Sequence, residues 1–309
     1  MKIAFYESKE EERAFFETHL KEHELFFFEG TIQDELVENE KYDIVSVFVH
    51  SRVSNALLDK LPNLRYIQTR STGFEHIKCS QLYERGLKAS NVSGYAGSAV
   101  AEFAFSLLLN ATRKTYIALQ RSKEDNDAYF DLKGVELFGK IVGIIGLGTI
   151  GMHMASISKG FGMRILGYSR THKAEYEALG IEFISLDEVL KKADFLMLAV
   201  PLTPKTTNLI NTNNSKLIKA SCIIVNIARN DIIEPSLYHT LPNTIACDID
   251  NTISLSKKDN ILHTPHMAYY TSEALQRILN ISLENMEQFI NGEVPDNCLK
   301  IECKKEYDF

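Results

Sequence analysis

The run Ile141-Val142-Gly143-Ile144-Ile145, followed at once by Gly146-Leu147-Gly148-Thr149-Ile150-Gly151, constrains this chain more than any other stretch. A short continuous apolar run reads as a strand buried on both faces. Three glycines at this spacing then make a tight turn into a helix. The first permits the turn, the second lets the backbone approach a ligand closely, and the third lets helix pack on strand. Met152, Ala155, Ile157, Ser158 and Phe161 continue as the helical pattern. The first amide groups of such a helix lack intrahelical acceptors and suit an anion. Strand, glycine turn and helix in this order open a dinucleotide-binding unit, with Gly146, Gly148, Thr149, Ile150 and Gly151 as its expected contacts.

Met163-Arg164-Ile165-Leu166-Gly167-Tyr168 reads as the second strand of that unit, and its end should present the residue that meets the adenosine ribose. An NAD site would carry Asp or Glu there. Here the stretch is Ser169-Arg170-Thr171-His172-Lys173, without a carboxylate to repel a 2′-phosphate and with cationic donors to bind one. Ser169, Arg170 and Thr171 are therefore expected to favour NADP(H). NAD(H) is the alternative if the basic turn is only solvated surface.

Length and charge set the outer bounds. A chain of 309 residues, 45% hydrophobic, exceeds what one core usually organises, so two domains are expected. Against 41 acidic residues stand 34 basic ones, a net charge of −7, with no long basic stretch. That excludes a surface built for nucleic acid or an anionic membrane. The N-terminal apolar run is too short for a signal peptide and no stretch approaches about 18 apolar residues, so a soluble, cytoplasmic protein is expected. Cys79, Cys222, Cys247, Cys298 and Cys303 are odd in number and scattered, which fits reduced thiols.

Short apolar runs alternate with helical patterns: 3–6, 25–28, 44–49 and 64–69 before the glycine turn, then 195–200, 222–226, 244–247 and 261–263 after it. Alternation of this kind implies parallel sheets with helices on both faces. Ser185-Leu186-Asp187-Glu188 is a capping box and marks a helix start. Since the glycine turn lies so far along the chain, the first hundred or so residues are expected to form a separate α/β unit. Residues 98–113 are helical in composition and apolar around nearly the whole circumference, which predicts burial, with a subunit interface as one setting. An amphipathic helix is expected over 272–291. His19-Leu20-Lys21-Glu22-His23 matches a metal-site spacing, but it sits in a densely charged helix and reads as solvated surface, so no metal is expected.

Three further stretches carry chemistry: Arg70-Ser71-Thr72-Gly73-Phe74-Glu75-His76, Asn226-Ile227-Ala228-Arg229-Asn230-Asp231, and Thr264-Pro265-His266-Met267-Ala268-Tyr269-Tyr270-Thr271. In this order around the glycine turn, together with Asn91-Val92-Ser93-Gly94-Tyr95 and Val200-Pro201-Leu202-Thr203-Pro204-Lys205-Thr206, the chain resembles the D-isomer-specific 2-hydroxyacid dehydrogenases over nearly its whole length. The paired tyrosines of the tail motif are most similar to D-lactate dehydrogenases, and Ser169-Arg170-Thr171 looks more like the NADPH-dependent glyoxylate and hydroxypyruvate reductases. The resemblance implies an α/β protein in which a Rossmann-type doubly wound nucleotide domain, residues 98–287, is inserted in a flavodoxin-like substrate domain, residues 1–97 plus 288–309. It implies a homodimer and hydride transfer between NADP(H) and a small 2-keto acid such as pyruvate, glyoxylate or hydroxypyruvate.

The residues suit that chemistry on their own terms. The planar fork of Arg229 can hold a carboxylate and a keto oxygen together. His266 suits the acid that protonates the developing alkoxide, since an imidazole can both give and take a proton. By resemblance, Ser71, Thr72 and Gly73 supply backbone donors to the substrate carboxylate and Tyr95 borders the pocket. Val200, Pro201, Thr206, Ile227, Ala228 and Asp248 line the cofactor. One departure stands out. Relatives place a glutamate about five residues past the aspartate corresponding to Asp248, where it raises the pKa of the histidine. Here the stretch reads Asp248-Ile249-Asp250-Asn251-Thr252-Ile253-Ser254. Asp250 is the candidate substitute. Without a supporting carboxylate, reduction would favour lower pH. Asn230 also replaces the glycine usual after the arginine, tolerable if that position is left-handed. A catalytically weakened, nucleotide-sensing interaction protein of the same fold is the alternative reading.

Overall fold

The computed structural model describes residues 1–36, 41–77, 82, 84–249 and 260–299, which divide into two compact units: Met1–Tyr95 with the chain from Ser272, and Ala96–Thr271. The first unit holds a parallel sheet of β1 (Lys2–Phe5), β2 (Glu24–Phe27), β3 (Ile44–Val47), β4 (Tyr66–Thr69) and β5 (Lys88–Ser90) in the order β2-β1-β3-β4-β5. This is the flavodoxin-like order. Because side chains alternate across a strand, Ile3, Phe5, Ile44 and Tyr66 face one layer, while Ala4, Tyr6, Val45, Val47 and Ile67 face the other. Phe16 and Leu20 cover the first face together with Leu279, Leu283, Met286 and Phe289 of the Ser272–Ile290 helix. The Phe289 and Tyr66 rings stack at 4.5 Å.

That helix moves a boundary. Returning the chain to the first domain at 288 would leave the helix in the nucleotide domain, whereas its apolar stripe covers β1, β3 and β4 and the return falls at Ser272. Amphipathic spacing shows that a helix covers something, but not which sheet. The forward crossing falls between Tyr95 and Ala96 rather than after residue 97.

The second unit is built on seven parallel strands, β6 (Ile141–Ile145), β7 (Arg164–Tyr168), β8 (Ile181–Phe183), β9 (Phe195–Leu198), β10 (Ile223–Asn226), β11 (Ile245–Asp248) and β12 (Ile261–Thr264), in the order β12-β11-β10-β9-β6-β7-β8. The direction of winding reverses between β6 and β9, as in a doubly wound nucleotide fold. The Gly97–Arg113 and Thr149–Gly160 helices cover one face, where Ala101, Ala104, Leu108, Met154 and Ala155 are buried. Their approach is close enough that a Cβ on Gly97 would lie 2.8 Å from Thr149 Cγ2. The Leu186–Lys192 helix covers the other face, its start capped by Ser185, whose hydroxyl accepts the Glu188 N–H at 3.4 Å.

The Gly97–Arg113 helix is less uniformly buried than its composition suggests: Glu102, Ser106 and Arg113 stay exposed. The edge strands β5 and β8 have three residues each and carry Lys88 and Glu182, which is why the apolar runs do not reveal them. The His19 ring bonds Phe15 O at 2.8 Å, and His23 Nδ1 lies 3.3 Å from the N-terminal amine. Cys222 and Cys247 are buried, and desolvation pushes each thiol up to about 12. Cys79, Cys303 and Asp250 lie outside the described residues. No described helix is long and apolar enough to cross a membrane.

Candidate active site

Parallel strands bring their carboxyl ends to one edge of a sheet, and the second unit gathers its candidate residues there. The glycine turn leaves β6. Gly146 has φ +102°, and a Cβ on it would lie 2.7 Å from the Ala199 backbone. A Cβ on Gly151 would overlap Gly146 O, whereas one on Gly148 would meet nothing within 4 Å. The first and third glycines therefore serve the fold, and the second leaves the outer side of the turn open. Gly148 is the N-cap of the Thr149–Gly160 helix and supplies no side-chain cap, so the helix presents its first N–H groups unmasked. These features fit a dinucleotide pyrophosphate.

Ser169, Arg170 and Thr171 follow β7. Arg170 is exposed and has no carboxylate partner among the described residues. Its basic neighbours do: His172 lies 3.8 Å from Glu177 and Lys173 lies 3.4 Å from Glu175. After β9, Val200 and Pro201 enter a loop closed by Thr206, whose hydroxyl donates to Pro201 O at 2.6 Å and accepts the Thr203 N–H at 2.8 Å.

Arg229 follows β10 on a loop braced by buried Asn226. The Asn226 amide donates to Arg229 O and to Tyr238 Oη, both at 3.0 Å, and its oxygen accepts the Ala228 N–H at 3.0 Å. Tyr238 Oη in turn donates to Asn230 O at 3.3 Å. The half-buried guanidinium of Arg229 donates to Ala228 O at 2.9 Å, while Ile227 and Ala228 are buried beneath it. Asn230 does not adopt the left-handed conformation considered from the sequence. It begins the Asn230–Ile232 single turn of 3₁₀ helix, and the loop needs no glycine there.

His266, which follows β12, is left-handed, with φ +50°. Buried Asp248, at the end of β11, holds the turn around it. One carboxylate oxygen accepts the Thr264 hydroxyl at 2.6 Å and the Met267 N–H at 2.9 Å, and the other accepts the Ala268 N–H at 2.7 Å. An unfavourable backbone conformation persists where its surroundings over-determine it, and here donors on both sides of His266 are fixed to one buried carboxylate. The half-buried His266 ring lies edge-on to Tyr269 at 6.3 Å.

In the first unit, Ser71, Thr72 and Gly73 follow β4. The Val92 N–H donates to Ser71 O at 2.9 Å, Asn91 Nδ2 to Thr72 O at 2.8 Å, and Ser71 Oγ to Gly73 O at 2.6 Å. Across a planar trans peptide the carbonyl and the following N–H point opposite ways. Tying the Ser71 and Thr72 carbonyls back turns the N–H groups of Thr72 and Gly73 outward, and neither donates to a described protein acceptor. Successive outward N–H groups suit a carboxylate. Tyr95 is buried, and its carbonyl accepts Arg277 Nε at 2.6 Å. Asn91, Asn226 and Tyr238 are bracing residues that sequence pattern alone does not single out. The one signal is a polar Asn226 ending the apolar run 222–226.

Comparison with known proteins gives a consistent result. Residues 105–268 match the family model described as "D-isomer specific 2-hydroxyacid dehydrogenase, NAD binding domain". A glyoxylate reductase from Pyrococcus furiosus is 32% identical over 292 residues, covering 88% of this chain and 87% of that protein. The apo structure of D-lactate dehydrogenase from Escherichia coli superposes with a TM-score of 0.87 at 30% identity, covering 97% of this chain and 100% of that one. D-lactate dehydrogenase from Aquifex aeolicus, solved with NAD and lactic acid, gives 0.85 at 27% identity, covering 94% of this chain and 96% of that one.

Proposed function

The chain belongs to the D-isomer-specific 2-hydroxyacid dehydrogenase family of NAD(P)-dependent oxidoreductases, and from that premise we propose that it reduces a small 2-keto acid to the D-2-hydroxy acid, with NADP(H) preferred over NAD(H). One observation carries this reading. The glycine turn, the Asn226-braced arginine and the Asp248-braced histidine all follow strands of one parallel sheet at their carboxyl ends.

The bound nicotinamide supplies the hydride. The Arg229 fork holds the substrate carboxylate and keto oxygen, fixing the orientation of the carbonyl carbon. His266 delivers a proton to that oxygen as its negative charge develops, and takes it back in the reverse direction. The outward N–H groups of Thr72 and Gly73, with Ser71, bind the carboxylate. Arg170 takes the 2′-phosphate, a role supported by its exposure and by the absence of a carboxylate partner among the described residues. The glyoxylate and D-lactate activities named for the relatives make glyoxylate, pyruvate and hydroxypyruvate the substrates to try.

A homodimer is part of the same reading, supported by the exposed Tyr129, Phe130 and Phe138.

The test follows nucleotide oxidation by absorbance, with NADPH and NADH offered separately and pyruvate, glyoxylate and hydroxypyruvate as acceptors. Faster turnover with NADPH is the expected result. Turnover confined to NADH would remove the role of Arg170 and keep the enzyme. Silence with every acceptor, with tight nucleotide binding retained, would favour the nucleotide-sensing protein.

A further inference from the structure

His76 has no part in the reaction outlined above, yet it ends a line of buried polar groups that leads to the turn at Ser71. Its Nε2 lies 3.0 Å from Thr69 Oγ1, Thr69 Oγ1 lies 2.7 Å from Ser71 Oγ, and Ser71 Oγ lies 2.6 Å from Gly73 O. Thr69 and Ser71 are buried and the imidazole is half-buried, so water does not replace these contacts freely.

Counting protons fixes the direction of every bond. Each hydroxyl carries one hydrogen. Gly73 O can only accept, so the Ser71 proton is committed to it. Ser71 Oγ must then accept from Thr69, which commits the Thr69 proton. Thr69 Oγ1 must in turn accept from His76, so Nε2 carries hydrogen. The opposite tautomer would leave the Thr69 and Ser71 oxygens 2.7 Å apart with no proton between them.

Resting on the reading of Ser71, Thr72 and Gly73 as the carboxylate-binding turn, we propose that His76, held with hydrogen on Nε2, is a positioning residue that sets this turn through Thr69 and Ser71 and thereby determines affinity for the 2-keto acid. His76 touches neither substrate nor cofactor in this scheme. It supplies the terminal donor, and the relay ends on the carbonyl that shapes the turn. The groups that bear on its ring charge are Glu75 and Glu7, which raise its pKa, and His50, which lowers it. Burial outweighs them and holds His76 below the ordinary histidine range, which leaves the neutral Nε2–H form at neutral pH. The donor is therefore present on both sides of the ring's titration, and the relay does not switch with pH.

The experiment compares His76→Leu, His76→Gln and Ser71→Ala with the parent protein. The readouts are the dissociation constant of oxamate, an unreactive isostere of pyruvate, with NADPH present, together with KM and kcat for whichever acceptor turns over. Removing a buried donor should weaken oxamate binding and raise KM roughly tenfold in His76→Leu, with kcat and NADPH affinity changed less than about twofold. Gln reaches the same position with an amide N–H, and His76→Gln should recover affinity to within about twofold. Normal affinity in His76→Leu, or no recovery with Gln, overturns the inference. Normal affinity in Ser71→Ala overturns the reading of the turn itself, and the inference with it. An affected Ser71→Ala beside an unaffected His76→Leu removes His76 alone. If His76→Leu fails to fold, Thr69→Val cuts the next link at constant shape and should give the same tenfold loss. Nitrogen NMR of the parent protein supplies a readout independent of ligand: a protonated Nε2 is expected, and an unprotonated Nε2 overturns the relay.

Discussion

Two turns in this molecule direct backbone N–H groups outward, where the proposed function has each meet an anion, and they are built by opposite means. The turn after β6 works by omission. Gly146 and Gly151 lack side chains because backbone occupies the space, and Gly148 faces outward into open space. The turn after β4 works by addition. Ser71, Asn91 and Val92 place donors on three consecutive carbonyls, and the amides turn outward as a result. The first design fails when bulk is added. The second fails when a donor is removed.

Gly151→Ala should do the most damage. The new methyl meets Gly146 O, a backbone atom that cannot swing aside, so a loss of about 3 kcal/mol or more is expected, read from urea denaturation. A stable Gly151→Ala would mean that the turn is not closed by backbone contact, and the contrast between the two designs would collapse.

Removing a donor from the other turn should cost less stability and more affinity. Asn91→Ala deletes the only side-chain donor on Thr72 O among the described residues. That bond sits at the surface, so a loss near 1 kcal/mol is expected on denaturation, with KM for the keto acid raised roughly fivefold as the Gly73 N–H loses its fixed direction. An unchanged KM would show that Val92 and Ser71 hold the turn without Asn91.

Arg170→Ala sharpens the contrast at the dinucleotide end. A glycine turn binds pyrophosphate whichever nicotinamide cofactor carries it, so discrimination must come from a side chain elsewhere, and the proposed function assigns it to Arg170 after β7. Losing a charge-assisted bond should weaken NADPH about tenfold and leave NADH nearly unchanged. Equal loss for both cofactors would move discrimination away from this residue.

The same contrast governs what is legible in the sequence. Omission leaves a mark, because three glycines at this spacing after an apolar run serve little besides a tight turn into a helix, and strands β6 and β9 to β12 announce themselves by composition. Addition leaves almost none. Ser71, Thr72 and Gly73 became interpretable through resemblance, but nothing in the sequence pairs Asn91 with Thr72 O, which depends on β4 and β5 lying side by side, or His76 with Thr69, which depends on how the turn after β4 folds back on the end of its strand. Asn226 and Asp248 show an intermediate case. A polar residue ending an apolar strand signals that something is held, and only the fold reveals that the first holds Arg229 and the second holds the turn at His266. The Ser272–Ile290 helix was legible as an element and illegible as a partner, since its stripe would have suited either sheet.

Gly148→Ala should have the smallest effect on the fold and is the most discriminating test of all. It makes the same chemical change as Gly151→Ala, three residues away in the same turn. A Cβ there meets nothing within 4 Å, so stability without cofactor should stay within about 0.5 kcal/mol of the parent protein. If pyrophosphate approaches the turn from this side, the methyl stands in its way, and NADPH affinity should fall roughly tenfold while the denaturation midpoint holds. Unchanged affinity would place the pyrophosphate elsewhere. A large loss of stability would mean that Gly148, like Gly146 and Gly151, is a packing glycine, and the division of labour among the three would have to be redrawn.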